Sequence, residues 1–260
     1  MTTWNIDRAA TVLLDAEDRR ADREPLTDEW PELDLSTAYR IQDETLRRRQ
    51  ERGEKIVGVK LGLTSKAKQQ RMGIDVPLVA WLTDAMILDP DEPVPIDELI
   101  HPRVEPEIVF VMGARLAGPG VTADEARAAV AQVHGGLEVI DSRYRDFRFT
   151  LPDVVADNSS SGKFVMNLAG RPAAEVDAVA EACTLSHGGK QVATATGADV
   201  MGDPAAALAL AANVLAERGL AIEPGWIVLT GGMTDAVHLV AGDVVRIDFA
   251  SLGELTITGA

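Results

Sequence analysis

An α+β fold with a β-rich core and a helical N-terminal segment is the architecture the sequence predicts, on three observations. Many short apolar runs are separated by glycine, proline and polar turns, as strands are. Only a few stretches carry helical periodicity, and strands and helices do not alternate regularly, which disfavours a Rossmann or eightfold-barrel chain. The 260 residues, 46% hydrophobic and 25% charged, also suffice to bury a large core without disulfides or structural zinc. The single cysteine, Cys183, excludes an intrachain disulfide and supplies too few thiolates for a zinc or iron–sulfur site.

At the N-terminus, Ile6, Ala9, Ala10, Leu13 and Leu14 recur with a helical period before the charged stretch Asp15 to Glu24, and Pro25 and Pro31 mark the break. Ser36 is placed to cap a second helix with Ala38, Ile41, Thr45 and Leu46 inward. Arg47, Arg48, Arg49 and Arg52 crowd its end, where cations complement the helix dipole. The texture changes at Gly53, which predicts a helical segment over residues 1–53 packed on a β-rich domain over 54–260.

In that domain, Ile56 to Leu63 alternates apolar residues with Gly58, Lys60 and Gly62, as in a strand whose backbone is closely approached. Further strands are expected at Ala85 to Leu88, Val104 to Met112, Gly136 to Asp141, Phe164 to Leu168, Cys183 to His187, Gln191 to Thr196, Trp226 to Thr230, Val244 to Ala250 and Glu254 to Thr258. Helices are expected from Thr122 to Val133, with Thr122 and Glu125 as a capping box, and from Asp203 to Arg218, with Pro204 in the first turn and Gly219 at the end.

Lys and Arg number 25 against 41 Asp and Glu, a net charge of −16, and the pI is near 4.6. Such a balance argues against a nucleic-acid partner, which requires a concentrated basic surface. No apolar run reaches the roughly 20 residues that span a bilayer. Asp7, Arg8 and Asp15 interrupt the N-terminal apolar residues, unlike a secretory signal. The expectation is a cytoplasmic protein without a membrane partner.

Chemistry concentrates in a few places. In Arg103-Val104-Glu105-Pro106-Glu107, strand geometry puts Glu105 and Glu107 on one face, close enough to share a cation. Glu138 lies inside the apolar run Gly135 to Asp141. Three carboxylates in such surroundings raise one another's pKa unless a cation neutralises them, and oxygen-only ligands suit Mg²⁺ or Mn²⁺. A solvated edge strand is the competing reading of Glu105 and Glu107. Lys60 could bind a substrate carboxylate or move a proton, or be an ordinary surface lysine. Asp157 to Gly162, with three serines, and Leu229 to Thr234, with two glycines, could hold a ligand or simply turn the chain. The four histidines lack metal-site spacing, and neither a nucleophile elbow nor a phosphate-binding glycine motif occurs.

Several of these segments together carry a family likeness. Lys55-Ile56-Val57-Gly58-Val59-Lys60-Leu61-Gly62-Leu63-Thr64-Ser65, Arg103 to Glu107, Glu138-Val139-Ile140-Asp141-Ser142-Arg143-Tyr144, Ala156-Asp157-Asn158 with Ser160, and Thr230-Gly231-Gly232 stand in the right order. In them the chain resembles the hydratase/decarboxylase branch of the fumarylacetoacetate hydrolase superfamily, from about Leu26 to Leu255. The resemblance implies a β-rich core of that type and Mg²⁺ or Mn²⁺ on Glu105, Glu107 and Glu138. It implies Lys60 and Ser160 as catalytic residues and Leu78 and Gly231 at the substrate. Leu78, in Val76-Pro77-Leu78, is apolar where the hydratases commonly carry an acid, which favours the decarboxylase side.

The implied reaction is metal-dependent decarboxylation of a 2-oxo dicarboxylic acid, 2-oxo-3-hexenedioate, in aromatic meta-cleavage catabolism. Hydration of 2-hydroxypenta-2,4-dienoate is the alternative. A homo-oligomer, and association with the pathway hydratase, are further implications of the likeness.

Overall fold

A computed structural model of the chain describes residues 3–64, 69 and 77–260. Ser65 and Val76 of the motifs above lie outside the described residues. Two sheets and a helical layer make up the fold, in agreement with the α+β class and the N-terminal helices expected.

Helix α1 (Ile6–Asp18) is capped by the Asn5 side chain. The short α2 (Leu26–Glu29) follows Pro25, and α3 (Leu35–Glu51) begins at Asp34, whose carboxylate accepts from the Thr37 N–H. Asp34 and not Ser36 is therefore the cap, because an aspartate one residue outside the first turn reaches that donor. The arginines at the end of α3 do more than face the dipole. Arg48 pairs with Asp7 at 2.5 Å and Arg52 with Asp18 at 2.9 Å, tying α3 to α1.

The larger sheet runs β2 (Leu78–Thr83), β1 (Ile56–Gly62), β9 (Ile227–Leu229), β3 (Arg103–Met112), β4 (Val130–Ile140), β5 (Ser161–Met166). Two short strands join its sides, β10 (Val237–His238) on β3 and β6 (Arg171–Pro172) on β4. The second sheet runs β12 (Glu254–Thr258), β11 (Val244–Phe249), β7 (Ala182–His187), β8 (Lys190–Thr196). Ile108, Phe110, Val133, Leu185 and Ile247 from the two sheets share one buried cluster. Ala207, Leu208, Ala211 and Leu215 of α6 (Pro204–Glu217) join it.

Two expected elements are misplaced. The strand assigned to Ala85 to Leu88 lies earlier, at β2, and Asp84–Met86 is a single 3₁₀ turn. The helix expected from Thr122 to Val133 stops at Ala128 as α4 (Ala123–Ala128), although its Thr122–Glu125 capping box is present. Val130 onward belongs to β4, where pairing with β3 outweighs the helical preference of an alanine-rich stretch.

A second cluster joins Ala9, Ala10 and Leu13 of α1 to Ala38 and Ile41 of α3 and to Val154 and Val155 of α5 (Leu151–Ala156). Leu78 and Tyr144 complete it. Gln42 is buried there and donates to the Val79 and Val155 carbonyls, fixing α3 against β2 and α5.

Candidate metal centre

Strand alternation and register bring the three glutamates together. On β3, Glu105 and Glu107 share a face, and in the antiparallel pairing with β4, Glu105 stands opposite Glu138 and Glu107 opposite Gly136. One carboxylate oxygen from each of the three lies within 4.8 Å of the others. All three side chains are buried, so Glu105 and Glu107 are not on the solvated face of an edge strand.

Lys60 reaches the same place from β1, which passes between β2 and β9. It is as buried as the carboxylates, and its Nζ donates to Glu138 Oε1 at 2.7 Å. The pair does not exhaust the acceptors. Among the described residues, Glu138 Oε2 and Glu107 Oε1 are buried and meet no hydrogen-bond donor. Burial first, then the charges of Glu138 and Glu105, pushes the Glu107 carboxyl well above the usual carboxylate range. Burial also raises Glu138, with Lys60 opposing. Clustered oxygens of this kind, some facing no donor, fit a hard divalent cation.

The Gly231 backbone holds Glu107 from behind. After β9 the Thr230 hydroxyl donates to the Ile108 carbonyl at 2.8 Å, and the Gly231 N–H donates to Glu107 Oε2 at 2.7 Å. Gly231 sits at φ +111°, and a Cβ there would stand 2.0 Å from Thr64 Oγ1. Glycine is required both for the backbone angle and for the space. Gly231→Ala is therefore expected to displace Glu107 and weaken Mg²⁺ binding by roughly ten- to a hundredfold, read by calorimetric titration.

Ser160 approaches from a turn with three successive left-handed residues, Asn158 (φ 48°), Ser159 (φ 53°) and Ser160 (φ 54°). Such backbone persists only where its surroundings hold it. The Asn158 amide bonds both the N–H and the carbonyl of Trp81, each at 2.9 Å. Asp157, at the base of the turn, is buried against the Arg143 guanidinium. Arg143 also donates to the Ser161 carbonyl at 2.8 Å and the Asp157 carbonyl at 2.5 Å. At Gly62 a Cβ would come 2.3 Å from Ser159 Oγ, so this glycine lets the turn close on β1.

A cavity of about 190 Å³ opens between these parts. Lys60, Glu105, Ser159, Ser160 and Asp235 supply its polar wall, Phe147 and Phe149 its aromatic wall, and Arg103 one end. Leu78 and Gly231 do not line it. Leu78 is paired with Gly62 and buried in the cluster with Tyr144 and Val155, and Gly231 lies beneath Glu107. Both stand one layer behind the wall the sequence assigned to them. Arg103 escaped attention as a site residue, although the alternation that joins Glu105 to Glu107 also puts it on their face. Phe147, which with Phe149 is part of the family likeness, reaches the cavity through a kink at Asp146 (φ 56°) that strand alternation does not foretell.

Comparison with known proteins identifies the family. Residues 55–258 match the family described as Fumarylacetoacetate (FAA) hydrolase C-terminal. A 4-oxalocrotonate decarboxylase of Pseudomonas putida is 41% identical over 243 residues, 93% of this chain and 91% of that protein. A 2-hydroxyhexa-2,4-dienoate hydratase of Comamonas testosteroni is 36% identical, over 90% of this chain and 89% of its own length. Among solved structures, 4-oxalocrotonate decarboxylase from Pseudomonas putida G7, complexed with magnesium and adipate, superposes with a TM-score of 0.96 at 36% identity, covering 100% of both chains. The chain belongs to the fumarylacetoacetate hydrolase family.

Proposed function

We propose that the protein is a Mg²⁺-dependent carboxy-lyase that converts 4-oxalocrotonate (2-oxo-3-hexenedioate) to 2-hydroxypenta-2,4-dienoate. The observation that carries this reading is the convergence of Glu105, Glu107 and Glu138 within 4.8 Å, with oxygens of Glu107 and Glu138 left without donors. Relatives that are decarboxylases at 41%, 40% and 42% identity over 85–93% of this chain favour it over hydration, since hydratases stand at 36% over 90% of it and 39% over 76%.

Glu105, Glu107 and Glu138 would hold the ion, which supplies a Lewis acid for the 2-oxo group. In the reaction the bond to the departing carboxylate breaks, and its electron pair passes through the conjugated C=C bond to the 2-oxo oxygen. Lys60, held on Glu138, keeps a positive charge beside that oxygen and can hold or deliver a proton there. Ser160 offers a hydroxyl on the opposite wall to orient the substrate. Phe147 and Phe149 keep water from the carbon that loses CO₂. Leu78 and Gly231 act from behind, one by packing under Gly62 and the other by fixing Glu107. A cytoplasmic setting, a homo-oligomer and association with a hydratase belong to the same proposal.

Ultraviolet loss of 2-oxo-3-hexenedioate, followed with Mg²⁺ and with a chelator, tests it. CO₂ and 2-hydroxypenta-2,4-dienoate should appear only with the metal. Inertness toward this diacid, together with conversion of 2-hydroxypenta-2,4-dienoate to 4-hydroxy-2-oxopentanoate, would replace the decarboxylase reading by the hydratase one.

A further inference from the structure

Arg103 is a cation at one end of the cavity, on the same strand face as the metal-site glutamates. It stands opposite Ile140, one step outward from the Glu105–Glu138 pair. Two residues along a strand advance about 6.8 Å, a span comparable with the backbone of a six-carbon diacid.

Its surroundings are unusual for an arginine. The guanidinium lies over the Phe147 ring, 4.1 Å from the centroid. Phe147 in turn packs against His101, with ring centroids 5.0 Å apart. Arg103 Nε is buried and has no hydrogen-bond partner among the described residues. Among the described residues no carboxylate forms an ion pair with it, and Asp146 acts on it only as a nearby charge. A cation stacked on an aromatic ring at the wall of a substrate-sized cavity, with no carboxylate paired to it among the described residues, is arranged to receive an anion.

We propose that Arg103, braced on Phe147, binds the second carboxylate of a 2-oxo diacid and so sets the site's preference for diacids over monoacids. The inference rests on the decarboxylase reading for the placement of the 2-oxo end at Glu105, Glu107 and Glu138. With that end at the metal site, the far end of a six-carbon chain lies toward Arg103. The carboxylate bound there is the one lost as CO₂, so the contact disappears with product formation. Arg103 is thus a specificity residue: it discriminates at the binding step, and the cation–carboxylate contact does not hold the product.

The test compares 2-oxoadipate with 2-oxohexanoate, which share chain length and the 2-oxo acid end and differ only in the second carboxylate. Binding to the Mg²⁺-loaded protein is measured by calorimetry, independently of turnover. Wild type should prefer 2-oxoadipate by roughly ten- to a hundredfold, the range expected for hydrogen bonds to a charged group. Arg103→Gln should lose that preference by weakening 2-oxoadipate alone, and Arg103→Lys should keep part of it.

Equal binding of the two acids by wild type, or a preference that survives Arg103→Gln, overturns the role given to Arg103 and leaves the decarboxylase reading intact. Equal weakening of both acids in Arg103→Gln overturns it too, since the residue would then be supporting the site as a whole. Failure of wild type to bind either acid would instead count against the metal site itself.

Discussion

Replacement of Glu107 by glutamine is expected to abolish Mg²⁺-dependent decarboxylation while leaving the metal-free protein as stable as wild type or more so. The amide keeps an oxygen to accept from the Gly231 N–H, so the local backbone has no reason to move. What is lost is one of the three carboxylates proposed to hold the ion. A Lewis acid contributes several kcal/mol to such a reaction, so activity should fall by about a thousandfold or more. In wild type without metal, burial and the neighbouring carboxylates disfavour ionised Glu107. A neutral amide removes that repulsion, and the gain should be on the order of 1 kcal/mol. Thermal unfolding with and without Mg²⁺ measures both effects. Wild type should be stabilised by the ion and the variant should not. A variant that still gains stability from Mg²⁺ as wild type does would show that Glu107 is not a ligand.

Arg143→Met should produce the largest loss of stability. The guanidinium and Asp157 are both buried, and removal of the cation strands a carboxylate away from water. It also removes the donors to the Ser161 and Asp157 carbonyls. Breaking a buried pair in this way costs about 3–5 kcal/mol. For a chain of this size that corresponds to a fall in Tm of roughly 10 °C. Combining Arg143→Met with Asp157→Leu should recover part of the stability, because no buried charge is left alone. Activity should stay low in the double variant, since the left-handed turn carrying Ser160 has lost its anchor. A loss below about 1 kcal/mol in the single variant would mean that the pair has access to water and that the turn is held by Asn158 alone.

Local pattern carried much of this fold into the sequence. The periodicity of Ile6 to Leu14, the Thr122–Glu125 capping box and the alternation around Lys60 all correspond to observed elements. Alternation also put Glu105 and Glu107 on one face before any partner strand was known. What local pattern could not carry was pairing. β4 begins at Val130, inside an alanine-rich stretch that looks helical, because ten residues of β3 lie ready beside it. The same limit applies to the site. That Glu138 faces Glu105, that Lys60 reaches Glu138, and that the Gly231 N–H meets Glu107 are matters of register between distant strands. Leu78 and Gly231 were expected at the substrate. Their place behind the cavity wall depends on how β1, β2 and the Asn158–Ser160 turn close on one another.

The strand order of the larger sheet governs when the chain can first capture a cation during folding. The carboxylates proposed to hold the ion come from one antiparallel pair, whereas Lys60 and Gly231, which fix Glu138 and Glu107, join them across 78 and 124 positions, so the site is held rigid only after long loops have closed and the middle of the sheet is in place. Mg²⁺ should therefore leave the folding rate nearly unchanged and slow unfolding, acting as a latch on the finished structure and not as a nucleus for it.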